Sequence, residues 1–313
     1  MGEVKKIATR ESYGNALVEC GKIFPNLVVL DADLAASTKT GVFKKVFPER
    51  HIDCGIAECN MTGIAAGLAS CGKIPFISSF AMFAAGRNYE QLRNTVAYPK
   101  LNVKIGATHA GITVGEDGAS HQCLEDVALM RTIPGMVVIV PADDVEARAC
   151  VKAACEHEGP VYMRFGRASV PVVHDESNYK FEIGKGVILK DGKDLTIIAN
   201  GVMVDSALGA AELLEKDGVS VRVVNMATVK PIDKELVIRC AKETGRIVTA
   251  EEHFVTGGLG SAVCEVLAEN CPASVQRIGV YDRFGESGPA SELMKLFKLD
   301  AQGVYETIKG WDK

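Results

Sequence analysis

Short apolar runs rich in β-branched residues alternate along this chain with longer stretches whose apolar positions recur every three or four residues. The first pattern suits strands buried on both faces, and the second suits helices with one apolar side. In the first half NLVVLDA, KIPFISSF, NVKIGATH, MVVIVPA and PVYMRFG read as strands. Between them, IAECNMTGIAAGLASCG, FAAGRNYEQLRNTVA, HQCLEDVALMRTI and DVEARACVKAACEH read as helices. Such alternation predicts a parallel sheet with helical crossovers.

A polar, turn-prone stretch, VVHDESNYKFEIGKG, interrupts the rhythm around residues 172–186, and the alternation then resumes. DLTIIANG, SVRVVNM, RIVTAEEH and SVQRIGVYD read as strands, with VDSALGAAELLEKDG, ELVIRCAKETG and GGLGSAVCEVLAEN as helices and a helical tail. The expected fold class is α/β, with two doubly wound domains at 1–175 and 187–313 joined by a linker at 176–186. In such sheets ligands bind beyond the carboxyl ends of the strands.

A length of 313 residues is about two domains' worth. The chain is 47% hydrophobic and 24% charged, with a net charge of −5, which describes a globular protein and disfavours nucleic acid as a partner. No apolar run approaches the ~20 residues of a membrane span, and the start MGEVKKIATRESYGNAL lacks a signal-peptide core. A cytoplasmic location is the default expectation. Ten cysteines without a CxxC pair read as buried free thiols.

Three strand ends carry clustered polar residues: DADLAAST, CGIAECNMTG and ATHAGITVGEDGASH. Glu58 sits at the start of an Ala/Gly-rich helix, where it could either satisfy helix amides or act as a site acid. His109, Glu116, Asp117 and His121 share one glycine-loosened loop, more than capping requires. Their spacing fits no zinc motif. Phe80, Phe83, Arg87 and Tyr89 follow a strand closely, a stripe that serves core packing or a cofactor pocket. GEDG and GGLG match neither GxGxxG nor a Walker loop and read as turns.

Together these segments resemble the transketolase family from ATRESYGNAL to DRFGESGPASELM, essentially the whole chain. The most specific piece is ATHAGITVGEDGASHQCLEDVALMRTIPGM, similar to a family loop of form THxxxxVGEDGxxHQ. The resemblance implies a pyrimidine-binding domain followed by the family's carboxy-terminal domain. The motif of the family's diphosphate-binding domain, GDG followed by Asn some two dozen residues later, is absent. It therefore implies a transketolase divided into two chains, with the cofactor thiamine diphosphate and its Mg2+ held partly by an N-terminal subunit. The assembly so implied is an α2β2 heterotetramer.

By the same resemblance Glu58 hydrogen-bonds the aminopyrimidine ring of the cofactor and favours its imino form, while Phe80 and Phe83 pack around that ring. Ile77 stands where some members carry a third aromatic. Asp33 resembles a residue near the cofactor across the subunit interface. His109, Asp117 and His121 resemble groups that bind sugar hydroxyls, with His121 at the C1 hydroxyl and also a catalytic group. Arg10, Ser37 and Arg167, helped by His109, resemble a pocket for a sugar phosphate, a role that suits arginine's planar fork. No metal ligand is expected on this chain. The implied activity is transfer of a two-carbon ketol unit between sugar phosphates, as in the pentose phosphate pathway. Its rivals are a 1-deoxyxylulose-5-phosphate synthase-like enzyme, a β chain of a 2-oxo-acid dehydrogenase, and a non-catalytic scaffold subunit.

Overall fold

The computed structural model describes residues 5–311. Fourteen strands form among them: β1 Lys6–Ala8, β2 Leu27–Asp31, β3 His51–Asp53, β4 Ile74–Phe80, β5 Lys104–Thr108, β6 Val137–Ile139, β7 Val161–Arg164, β8 Ser169–Pro171, β9 Val187–Lys190, β10 Leu195–Ala199, β11 Val221–Asn225, β12 Thr228–Lys230, β13 Arg246–Phe254 and β14 Ser274–Val280. They make a seven-stranded sheet, β12-β6-β7-β5-β4-β2-β3, a five-stranded sheet, β14-β13-β10-β11-β9, and the small antiparallel pair β1-β8.

All five strands expected in the first half form, and every residue of β2, β4, β5 and β7 is buried. Helices cover both faces, so alternate residues feed two cores. Leu27, Val29 and Phe76 pack with Tyr13 and Leu17 of helix Thr9–Ile23 and with Val151 of helix Asp144–Glu156. Leu30, Ile77 and Ile105 pack on the other side with Met61 and Ala65 of helix Glu58–Ser70 and with Leu92 and Val96. The second sheet is layered in the same way.

Three features lay beyond the hydrophobic pattern. Both sheets carry an antiparallel edge strand, β12 against β6 and β9 against β11. Although β12 follows the polar stretch in sequence, it completes the first sheet and ties the halves together. The segment expected as helix 121–133 is helical only over Asp126–Arg131, because the chain before it forms a loop anchored by Gln122. All ten cysteines are free, but only five are buried: Cys54, Cys264 and Cys271 are half-buried, and Cys59 and Cys71 are exposed. Among the described residues no helix is long and apolar enough to cross a membrane.

Candidate active site

The parallel strands β2, β3, β4, β5 and β7 end at one edge of the first sheet, and the loops leaving that edge carry the candidate residues. After β2, Asp31 Oδ1 accepts the Leu34 amide and Oδ2 accepts the Thr40 hydroxyl. His51 Nε2 lies 2.8 Å from Asp31 Oδ2, with both side chains fully buried. This network shapes the turn that presents Ser37. Asp33 sits in the same turn at φ 61°, exposed, with its amide bound to Asp53 Oδ1.

Glu58 is the first residue of its helix and is 2% exposed. Its carboxylate takes a hydrogen bond from Arg87 Nη1 at 2.8 Å, and no helix amide donates to it among the described residues. Glu58 therefore does not cap the helix that it begins. Arg87 ends a widened helical segment, Met82–Arg87, of a type frequent at functional sites. Its guanidinium also lies over the Phe83 ring, 4.5 Å from the centroid.

The aromatic stripe links this acid to a basic cluster. Phe80 and Phe83 are near-parallel with centroids 6.1 Å apart, and Phe80 stacks on His109 at 3.9 Å. His109 sits in the left-handed region at φ 56° immediately after β5. Arg10 Nη1 donates to its Nε2 at 3.0 Å and to the Ser37 carbonyl at 3.1 Å. Because arginine only donates, Nε2 must be the bare nitrogen, and Nδ1–H then donates to Thr108 Oγ1 at 2.9 Å. Burial, reinforced by the charges of Arg10 and Arg167, pushes the His109 pKa down to about 3. Burial and Arg167 likewise lower the Arg10 pKa. Arg10 Nε is buried without a hydrogen-bond partner. A neutral histidine between two guanidinium groups, with a buried N–H uncommitted, suits an anionic ligand.

Arg10 owes its place to features invisible in the periodicity. The β1-β8 pair draws the chain start onto the segment after β7, and the Arg10 amide donates to the Gly166 carbonyl at 3.3 Å. Neighbouring Arg167 donates through Nη1 to the Val114 carbonyl and, at 2.8 Å, to Glu116 Oε2. His121 presents its ring edge-on to Phe83 at 5.5 Å and Phe80 at 6.1 Å. The structure therefore brings together Glu58, Phe80, Phe83, His109, His121, Arg10, Ser37 and Arg167. Asp33 and Asp117 are exposed on adjoining loops, and no hydrogen bond joins either side chain to this cluster among the described residues.

The second half braces the loop that bears the histidines. Glu252 of β13 accepts the Thr113 amide at 2.6 Å, and Gln122 Nε2 donates to the Glu286 carbonyl at 2.9 Å. A side chain at Gly111 would collide with the Glu252 carboxylate, 2.2 Å from the added carbon. Burial raises the pKa of Glu252, opposed by Arg164 and by the Thr113 hydrogen bond. Glu252 was not singled out from sequence. The signal was present in RIVTAEEH, where two acids and a histidine end a run that reads as a strand. Among the described residues no group of three or more His, Cys, Asp or Glu is arranged to hold a metal ion.

Residues 5–172 match the transketolase pyrimidine-binding domain family and residues 184–304 the transketolase C-terminal domain family. A protein of Methanocaldococcus jannaschii described as a putative transketolase C-terminal section is 54% identical over 96% of this chain and 94% of its own length. A 6-deoxy-6-sulfo-D-fructose transketolase subunit from a Clostridium species is 46% identical over 94% of this chain and 91% of its own. A solved structure, a split-gene transketolase described as an inactive β4 tetramer, superposes with TM-score 0.91 at 56% identity, covering 97% of this chain and 98% of that one.

Proposed function

The chain belongs to the transketolase family, a family of thiamine-diphosphate-dependent transferases, and we propose that it is the carboxy-terminal subunit of a split transketolase, active only with an N-terminal subunit. In this reading the partner carries the diphosphate-binding domain and the Mg2+ ligands, the assembly is an α2β2 heterotetramer, and the enzyme is cytoplasmic and serves the pentose phosphate pathway. The similarity to a subunit whose solved β4 form is described as inactive supports the need for a partner. The observation that carries the proposal is the unbroken contact path Glu58, Arg87, Phe83, Phe80, His109, Arg10, which sets a buried acid and aromatic faces beside an anion-binding cluster.

The residues present fit the cofactor's aminopyrimidine. Glu58 is a buried carboxylate whose Oε1 receives no hydrogen bond among the described residues, and the arginine that bonds it lies over the ring of Phe83, the neighbour of Phe80. When bound, thiamine diphosphate supplies the carbon nucleophile that carries the ketol unit. Glu58 holds a proton at the pyrimidine nitrogen, and Phe80 and Phe83 exclude water from that ring. His109, kept neutral, and His121 offer hydrogen bonds to sugar hydroxyls, with Asp117 reaching a second hydroxyl from its loop. Arg10, Arg167 and Ser37 grip the terminal anion, and Asp33 lies toward the subunit boundary. The anion grip separates this reading from the 2-oxo-acid dehydrogenase β chains, whose substrates lack a sugar phosphate. It also disfavours a scaffold subunit, for which an uncommitted buried arginine N–H has no use.

The test is ketol transfer from xylulose 5-phosphate to ribose 5-phosphate with thiamine diphosphate and Mg2+. Activity only when this chain is mixed with its candidate partner supports the proposal. No transfer from the mixture, with pyruvate-dependent turnover instead, would favour the deoxyxylulose or 2-oxo-acid alternatives.

A further inference from the structure

An aminopyrimidine ring asks two things of a protein: a carboxylate to pair with a ring nitrogen and a flat apolar face to stack on. Arg87 already makes both contacts with the same two residues. Its Nη1 donates to Glu58 Oε2 at 2.8 Å, and its guanidinium lies 4.5 Å from the Phe83 centroid. Guanidinium is planar, donates in its plane and stacks on aromatic faces, so it imitates a protonated heterocycle closely.

The backbone under Arg87 is pinned while its side chain is not. The Arg87 carbonyl accepts from Cys59 Sγ at 3.5 Å, and the next residue, buried Asn88, donates to Thr62 Oγ1 at 2.6 Å. Both contacts reach the helix that begins with Glu58. The side chain itself is 48% exposed and holds Glu58 by one hydrogen bond rather than a two-pronged fork. Rotation about side-chain bonds alone would carry the guanidinium into solvent.

We propose that Arg87 and the aminopyrimidine of the cofactor compete for Glu58 and Phe83, so that cofactor binding requires the guanidinium to swing outward. The inference rests on the family reading of Glu58. Arg87 thereby keeps a buried carboxylate compensated in the subunit and sets the threshold for loading it. A ligand that must displace an internal competitor binds with its affinity reduced by the fraction of molecules already open.

Competition gives a single substitution two opposite effects. In Arg87→Met the subunit loses the cation facing Glu58, so its thermal unfolding midpoint falls before thiamine diphosphate is added. In the complex with the N-terminal subunit and Mg2+, calorimetric titration with thiamine diphosphate should give a Kd about tenfold tighter than wild type. A residue of merely structural importance would lower stability and weaken binding together. Weaker or unchanged cofactor affinity in Arg87→Met would overturn the proposal. If that variant does not fold, Arg87→Lys, which keeps the charge but loses the stacking plane, should shift Kd in the same direction by less, and weaker or unchanged binding there would also overturn it. A wild-type complex that binds no thiamine diphosphate would instead sink the family reading of the site, as would unaltered binding in Glu58→Gln.

Discussion

Two buried carboxylates in the first half each face an arginine, and the two pairs are built to opposite ends. Asp126 and Arg164 are 0% and 6% exposed at their side chains. Arg164 Nε reaches both Asp126 oxygens, at 3.1 and 2.9 Å, and Tyr162 adds a third hydrogen bond at 2.8 Å. The remaining guanidinium reach goes to the Cys123 and Glu252 carbonyls, so this pair also clasps the second half. Glu58 has one hydrogen bond, from an arginine half in solvent. A fully satisfied buried pair specifies structure, and a buried acid left partly unsatisfied at a strand-end loop is what the proposed cofactor role asks for.

Breaking the satisfied pair gives the largest effect on folding. Asp126→Ala leaves the buried Arg164 charge facing only the Glu252 carboxylate, 3.9 Å away, and denaturant unfolding should show a loss of about 3 kcal/mol. A loss below about 1 kcal/mol would mean that the clasp behaves like a surface ion pair and that the comparison is overdrawn.

A third arginine extends the series to the surface. Arg167 is 37% exposed and its partner Glu116 is 64% exposed, so the pair contributes little to stability. Arg167→Ala should raise KM for phosphorylated sugars by roughly tenfold, the scale of one charge-assisted hydrogen bond. The expected fall in kcat is smaller. Unchanged KM would remove Arg167 from the anion grip.

Near neutral pH the smallest effect concerns His109, which burial, reinforced by Arg10 and Arg167, keeps neutral. Its folded pKa lies below its unfolded value, so below about pH 6.5 the unfolded chain binds the proton that the folded chain refuses. Its contribution therefore erodes stability progressively as pH falls from about 6.5 toward about 3. His109→Gln should lose less stability than wild type across that window in pH-dependent unfolding. Equal acid sensitivity would show that His109 is not held neutral.

The periodicity made the layered sheets legible because β2, β4, β5, β6 and β7 are apolar runs that need cover on both faces. Strand ends then located Glu58, Phe80 and His109. Lateral pairing was not legible: β12 is three residues long and joins a sheet whose other strands all precede it by more than sixty residues. The β1-β8 pair, which carries Arg10 to Arg167, has the same character. Glu252 was legible only as one of two acids in the strand RIVTAEEH, and the amide that it braces, 139 residues away, has no local signature. Arg87 stood in the sequence beside its aromatic neighbours, but its partner lies twenty-nine residues away across a helix and a strand.

The central claim, that Glu58 is kept for chemistry and not for folding, is tested most directly by Glu58→Gln in the reconstituted complex. Ketol-transfer turnover and the thermal unfolding midpoint would be measured on the same preparation. The account expects turnover to fall by at least about a hundredfold with assembly and midpoint preserved. Near-wild-type turnover, or a collapse in stability that accounts for the lost activity, would contradict it.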